Sequence, residues 1–142
     1  MIIVIIFDAK DMIFGRIATR IAKEALLGND VVVVNTKDVC ISGNKEDVLK
    51  SFKERFDNSH PLKGPFYPKE PARLFKRMLR GMLPYKKERG KVAFSRIKCY
   101  AGVPKSLEGK EFVRIEEADI NKIPRLKYVR LSDISKILGG KE

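Results

Sequence analysis

Residues 2–34 read IIVIIFDAKDMIFGRIATRIAKEALLGNDVVVV, and this stretch decides the fold. The run Ile2–Phe7 is apolar and β-branched, which predicts a strand covered on both faces. Residues 15–27 place apolar side chains at helical spacing, and Gly28 follows as a helix terminator. Val31–Val34 predicts a second strand. Strand, helix and strand at this spacing indicate a right-handed βαβ unit, and therefore a sheet that is at least partly parallel.

Further strands and helices are predicted downstream. Ser42-Gly43-Asn44 turns the chain, and Asn44 can cap a helix that carries Asp47 in its first turn. A closing helix is expected over Ser132–Leu138, with Ser132 as its cap and Gly139 as its terminator. The other predictions are strands at Val39–Ile41 and Lys91–Tyr100, the latter a candidate for the fourth strand of the sheet, and short extended pieces at Val113–Ile115 and Tyr128–Leu131.

The chain changes character after Phe56. Residues 59–72 contain four of the seven prolines and show neither a helical nor a strand period. Because proline favours a stiff, extended course, this segment predicts an ordered arm that crosses a surface. A helix is predicted from Arg73 to Leu83, because Pro84 disfavours helical geometry at the residue before it.

Basic charge is concentrated in one segment. The net charge is +12, more than the roughly 2 to 8 that solubility asks of a small domain. Residues 1–62 are neutral overall, with nine basic and nine acidic residues, and residues 99–142 carry a net charge of +2. Residues 63–98 hold twelve basic and two acidic residues, a net charge of +10. A field this positive indicates a polyanionic partner.

The predicted helix arranges this charge on one face. Its four cations are spaced i, i+3, i+4 and i+7 and are Arg73, Lys76, Arg77 and Arg80. They repel one another, and no neighbouring carboxylate is expected to offset them. Phosphate would remove the repulsion, and guanidinium can bind two of its oxygens at once. We therefore predict nucleic-acid binding by this row and by the flanking Lys63, Lys69, Lys86, Lys87, Arg89, Lys91, Arg96 and Lys98, with Phe66, Tyr67 and Tyr85 as candidates for base stacking.

The sequence contains weaker indications of other functions. The turn Asp8–Gly15 lies between a strand and a helix, where α/β enzymes bind phosphates, so a nucleotide-using enzyme is one alternative. The turn lacks the GxGxxG and GxxxxGK[ST] patterns. A DNA-binding or chromatin protein is a second alternative, because an Arg-rich helix fits a major groove. The plainest alternative is a solvated helix face whose neighbouring aromatics serve only in packing.

Several site classes are excluded by composition. His60 is the one histidine, and Cys40 and Cys99 are the two cysteines, so we predict no metal site, no cofactor and no catalytic set. The longest apolar run, Met1–Phe7, is far shorter than the ~20 residues of a membrane-spanning helix. It lacks the flanks of a signal peptide, so a cytoplasmic protein is expected.

Several motifs resemble a known family. The most specific is Arg80-Gly81-Met82-Leu83-Pro84, followed by Lys87 and Arg89-Gly90. With these motifs the sequence is similar to the L-thirteen family of large-subunit ribosomal proteins, in its short archaeal and eukaryotic form. The resemblance covers about residues 2–104 and is loose beyond them. Its other matches include Asp8-Ala9, Gly15-Arg16-Ile17-Ala18, Val32-Val33-Val34-Asn35, Ile41-Ser42-Gly43-Asn44 and Pro71-Ala72-Arg73.

The resemblance implies both architecture and role. The implied fold is a three-layer α/β/α domain with a small, mostly parallel sheet of about four strands. The implied role is a structural constituent of the large ribosomal subunit, which binds large-subunit (23S-type) rRNA, joins early in assembly, contacts neighbouring ribosomal proteins and catalyses nothing. The protein is expected in the cytoplasm, in the ribosome, without a small-molecule substrate and without stand-alone homo-oligomers. We expect one domain over residues 1–142, with an α/β core at 1–57 and 91–142 and a basic RNA-binding arm and helix at 58–90.

Overall fold

The computed structural model describes residues 3–57, 68–122 and 127–139. These residues form a mixed α/β fold, in agreement with the predicted class. Within them, no helix is both long enough and apolar enough to cross a membrane. The helices and strands, in chain order, are β1 (Val4–Asp8), α1 (Phe14–Leu26), β2 (Asp30–Val34), β3 (Cys40–Ser42), α2 (Lys45–Asp57), α3 (Pro71–Arg80), α4 (Glu88–Ser95), β4 (Ile97–Cys99), β5 (Tyr128–Arg130) and α5 (Leu131–Ile137).

The strand–helix–strand unit predicted from residues 2–34 is present, but its first strand is not covered on both faces along its whole length, because Val4 is 59% exposed. β1 and β2 pair in parallel along their whole length. Between them α1 buries one apolar stripe, because side chains three and four residues apart share a helical face; the buried residues are Ile17, Ala18, Ile21, Ala22 and Ala25. Gly28 follows the helix with a φ of 101°, a left-handed geometry that glycine adopts without steric cost.

The main sheet has three strands in the order β1-β2-β4, and both of its pairings are parallel. The sequence predicts about four strands, but β3 does not join this sheet. Asn35 takes a left-handed φ of 58° directly after β2, and a 3₁₀ turn follows at Thr36–Asp38. The chain is redirected there, and β3 pairs antiparallel with β5, so that Cys40 lies opposite Arg130.

The strand predicted over Lys91–Tyr100 is wrong in its first half. Residues 88–95 form α4, and only Ile97–Cys99 is extended, as β4. The helix is favoured by packing, because Gly90 and Ala93 lie three residues apart and are both buried on one helical face. α4 packs against α1 through this part of the molecule.

The basic helix is shifted from its predicted span of Arg73–Leu83. α3 begins at Pro71, since the N–H that proline lacks has no partner in a first helical turn. It ends at Arg80, after which the N–H groups of residues 81–83 bond to carbonyls three residues earlier. The tighter turns carry the chain through residues 81–86 to α4.

The C-terminal predictions are confirmed except for one cap. Val113 lies extended beside β1, where its N–H donates to the Ile6 carbonyl oxygen at 2.7 Å. β5 covers most of the predicted extended piece at 128–131. α5 begins at Leu131, so the cap position is occupied by Arg130, two residues before the predicted Ser132. Gly139 ends the helix with a φ of 87°.

One apolar cluster joins the sheet to the helices. α3 contributes Leu74, Phe75 and Leu79, whose side chains are inaccessible to solvent. The ring of Phe75 meets that of Phe14 edge to face, with centroids 5.1 Å apart, a favourable aromatic geometry. The basic helix is therefore anchored in the same core as α1. The three-layer order of helices and sheet stays a prediction, as does the division into a core and a basic unit at residues 58–90.

Candidate nucleic-acid interface

α3 presents its cations on the side opposite its buried residues. Leu74, Phe75 and Leu79 point into the core, whereas Arg73 is exposed and the other three cations are half-buried. The expectation that no carboxylate lies near the row is wrong, because Arg73 Nε lies 3.5 Å from Glu70 Oε2. Both side chains are well exposed, so this ion pair contributes only ~0.2–1 kcal/mol and yields easily to a stronger anion.

Aromatic rings hold two cations of α3 in place. Lys76 Nζ lies 4.6 Å from the centroid of the Phe94 ring. The Arg80 guanidinium lies 4.5 Å from the centroid of the Tyr85 ring. Each contact attracts a cation to an aromatic face and limits its movement. Tyr85, predicted as a base-stacking residue, thus gives one face to Arg80 while remaining 37% exposed.

The α3 cations are shared between two clefts on either side of the helix. Arg73 and Lys76 line the first, which we call the β4 cleft; it has a volume of about 280 Å³ and also receives Lys98 and Tyr100. Arg77 and Arg80 line the second, which we call the α2 cleft; it has a volume of about 380 Å³, and its other cation is Arg55 of α2. α3 is therefore a ridge with a basic cleft on each flank.

Most of the remaining predicted cations are exposed to solvent. Lys69, Lys86, Lys87, Arg89, Lys91 and Lys98 are exposed. Arg96 is half-buried, and its Nη1 donates a hydrogen bond of 2.9 Å to the Ala25 carbonyl oxygen at the end of α1. That bond gives Arg96 a role in the fold, because it ties the residue before β4 to a helix-terminal carbonyl that also accepts from the Gly28 N–H. The predicted residues Lys63, Phe66 and Tyr67 lie outside the described residues.

Two basic residues near this surface belong to residues 1–62, a segment whose net charge is zero and in which the sequence predicts no binding residue. Arg55 belongs to the neutral first half of the sequence, yet it lines the α2 cleft. Lys23 of α1 lines a third depression, of about 580 Å³, together with Arg89 and the apolar Leu27 and Met82. The sequence holds one local signal for Arg55, which lies three residues after the buried Phe52 at the edge of the apolar stripe of α2.

The turn after β1 is occupied by internal ion pairs. Asp8 accepts hydrogen bonds from Asn35 Nδ2 and from Arg114 Nη1, each at 3.0 Å. Asp11 Oδ1 lies 2.7 Å from Arg130 Nη2, and the Asp11 carboxylate raises the pKa of the Arg130 guanidinium. Both carboxylates thus tie the C-terminal segment to the sheet. Among residues 3–57, 68–122 and 127–139, no group of three or more His, Cys, Asp or Glu side chains could hold a metal ion.

The two thiols are poor nucleophiles at neutral pH. Burial raises the pKa of Cys40 to about 11, although the nearby Arg130 acts in the opposite direction. Burial also raises the pKa of Cys99 to about 12, against the influence of Lys76. Because the thiolate is the reactive form, both groups behave as small apolar side chains.

The sequence model of the Ribosomal protein L13 family matches residues 3–106, nearly the span of the resemblance noted above. The chain belongs to this family. It is 43% identical over 135 residues to the large ribosomal subunit protein uL13 of Archaeoglobus fulgidus, covering 94% of this chain and 86% of the relative. It is 39% identical over 137 residues to the uL13 protein of Methanosarcina barkeri, covering 96% and 98%. As a member of the L13 family, the chain is a structural ribosomal component rather than an enzyme.

The most specific L13 motif has a structural explanation at one of its glycines. Gly90 is buried in α4, and a Cβ added there would lie 1.9 Å from the Pro84 carbonyl oxygen. The absence of a side chain at Gly90 therefore lets α4 pack against the preceding turn. Gly81 differs, because a Cβ there would approach only the Met78 carbonyl oxygen, at an ordinary 3.5 Å.

Proposed function

We propose that this chain is a constituent of the large ribosomal subunit that binds large-subunit rRNA through α3 and the basic segments around it. The observation that carries the proposal is the two-sided character of α3. One side is fixed in the core by Leu74, Phe75 and Leu79, and the other presents four cations. A rigid helix with single-signed charge suits the backbone of RNA, because phosphate contacts supply most of the affinity and orient the protein.

The wider surface supports the same partner. Residues 63–98 carry a net charge of +10, and the described cations there are mostly exposed. The relatives are named as proteins of the large ribosomal subunit, so we place this chain in that subunit, in the cytoplasm, beside other ribosomal proteins. We further propose that it joins early in assembly, acts without a cofactor, and functions as one domain over residues 1–142, in which residues 58–90 form the RNA-binding part.

The proposal is tested by filter binding to deproteinised large-subunit rRNA of Archaeoglobus fulgidus. If six to ten phosphates are contacted, affinity should fall on the order of 10³- to 10⁵-fold between 50 and 200 mM salt. Replacing Arg73, Arg77 and Arg80 together by Ala should lower the slope of log affinity against log salt by about three, since each phosphate contact contributes about one.

A matched control removes the same charge elsewhere. Lys45, Lys50 and Lys53 are exposed on α2, and their triple Ala variant should retain most of the salt slope. Circular dichroism should show that both variants fold. Equal losses in the two variants, or an unchanged slope for the arginine variant, would contradict the assignment of α3. Stronger binding to duplex DNA than to rRNA would favour a DNA-binding protein instead.

A further inference from the structure

The α2 cleft brings together three arginines from two helices that are distant in sequence. Arg55 comes from the last turn of α2, and Arg77 and Arg80 come from the last turns of α3. The stack of Arg80 on Tyr85, at 4.5 Å, restrains one guanidinium at the edge of the cleft. A restrained guanidinium loses less freedom when it binds a phosphate, so the cleft is partly organised before any ligand enters.

Two of the three arginines that line the cleft have no carboxylate partner in the described part of the chain. Among residues 3–57, 68–122 and 127–139, neither Arg55 nor Arg80 lies within 4.0 Å of a carboxylate oxygen. Each instead contacts an aromatic ring, Phe52 for Arg55 and Tyr85 for Arg80. Guanidinium groups collected in one cleft repel one another, and an anion placed among them removes that repulsion.

Gly81 is a second, independent observation at the same cleft. It lines the cleft, is exposed, and has a φ of −65°, a conformation open to any residue. An added Cβ would make only an ordinary contact within the protein. Nothing in the described fold requires glycine there, and alanine has the better helical propensity. Glycine at such a position suits the close approach of another backbone from outside.

We propose that the α2 cleft is a subsite for a backbone phosphate of the bound RNA, held by Arg55 together with Arg77 and Arg80. Gly81 leaves room for the sugar-phosphate chain to lie against the end of α3. The subsite rests on the RNA-binding function proposed above and adds Arg55, a residue outside the basic segment, to the surface. It also means that RNA is held on this flank of α3 by two separate elements, which fixes the orientation of the helix on its partner.

The test measures binding of Archaeoglobus fulgidus large-subunit rRNA by Arg55→Ala, with Lys53→Ala as the matched control. Both variants remove one cation from α2, but Lys53 does not line the cleft. Arg55→Ala should weaken binding on the order of tenfold and lower the salt slope by about one, whereas Lys53→Ala should change neither much. Arg55→Lys should recover part of the loss, because it restores the charge without the planar fork.

Gly81→Ala supplies the steric test. Its melting temperature should equal or exceed that of the wild-type protein, while its affinity for the same rRNA falls several-fold, because a methyl group occupies the space of the RNA backbone. If Arg55→Ala and Lys53→Ala lose affinity equally, or if Gly81→Ala binds like the wild type, the subsite is overturned while RNA binding stands. If the wild-type protein shows no salt-dependent rRNA binding, the proposed RNA-binding function is contradicted together with the subsite.

Discussion

Gly90 is the residue at which the absence of a Cβ atom decides the local fold. Its α-carbon faces the backbone of Pro84 and Tyr85, and a Cβ would lie 1.9 Å from the Pro84 carbonyl oxygen and 2.8 Å from the Tyr85 nitrogen. Neither neighbour is the end of a flexible side chain that can rotate away. The start of α4 can pack against the preceding turn only because this position has no side chain.

We predict that Gly90→Ala lowers the free energy of unfolding by about 1–3 kcal/mol or more, because the backbone of α4 or of the preceding turn must move. Urea denaturation followed by circular dichroism measures the change. Gly81→Ala is the natural comparison, since the same methyl group there meets no atom closer than 3.5 Å. Similar stabilities for the two variants would show that the contact at Gly90 is not tight.

In α3 the residues that stabilise the fold lie on one face, and the cations proposed to bind RNA lie on the other. Leu74, Phe75 and Leu79 on its inward face are inaccessible to solvent. On its outward face Lys76 and Arg80 contact aromatic rings, and Arg73 contacts an exposed carboxylate. The helix also carries Pro71 in its first turn, which fixes its start, and it loosens into turns after Arg80. Substitutions on the two faces should therefore affect different measurements.

We predict that Phe75→Ala lowers the free energy of unfolding by about 3–5 kcal/mol, because it removes a buried ring and its edge-to-face contact with Phe14. Arg80→Ala should cost about 1 kcal/mol, the worth of a partly exposed cation–π contact. In rRNA binding the order should reverse: Arg80→Ala should lose more affinity than Phe75→Ala, measured at a temperature at which both variants are folded. A small stability loss in Phe75→Ala would mean that α3 is not anchored in the core.

At the scale of the whole molecule, the fold is completed by a segment beyond the family match. The match ends at residue 106, yet β5 pairs with β3 and α5 buries Leu131 and Ile134 completely. Hydrogen bonds from residues 113–120 to the β1 strand and the turn after it add a second attachment. The alignments with the relatives extend into this segment, since they cover 94–96% of the chain.

We predict that deleting residues 108–142 abolishes cooperative unfolding, because the deletion exposes the apolar surfaces that β5 and α5 cover. Ile134→Ala, a milder change, should lower the free energy of unfolding by about 2–5 kcal/mol. Thermal denaturation followed by circular dichroism tests both, and a deletion of residues 140–142 serves as the control. A sharp transition at an unchanged temperature in the larger deletion would refute the prediction.

The sequence by itself determined the features that depend on local pattern. Two apolar runs predicted β1 and β2, and apolar residues at helical spacing with Gly28 after them predicted α1, because these patterns involve neighbouring residues alone. The concentration of charge in residues 63–98 is a property of composition, and the family follows from motifs such as Arg80-Gly81-Met82-Leu83-Pro84. The cationic face of α3 was predictable for the same reason, although its ends were not.

Only the tertiary structure decided which elements meet. The pairing of β3 with β5 and the helical form of α4 depend on partners far along the chain, which local propensity does not encode. The positions of two arginines also depend on distant partners. Arg55, from a segment with no net charge, lines the α2 cleft, and Arg96 donates a hydrogen bond to the end of α1. The division of the α3 cations between two clefts is likewise decided by the tertiary structure, because long-range packing sets the surroundings of each side chain.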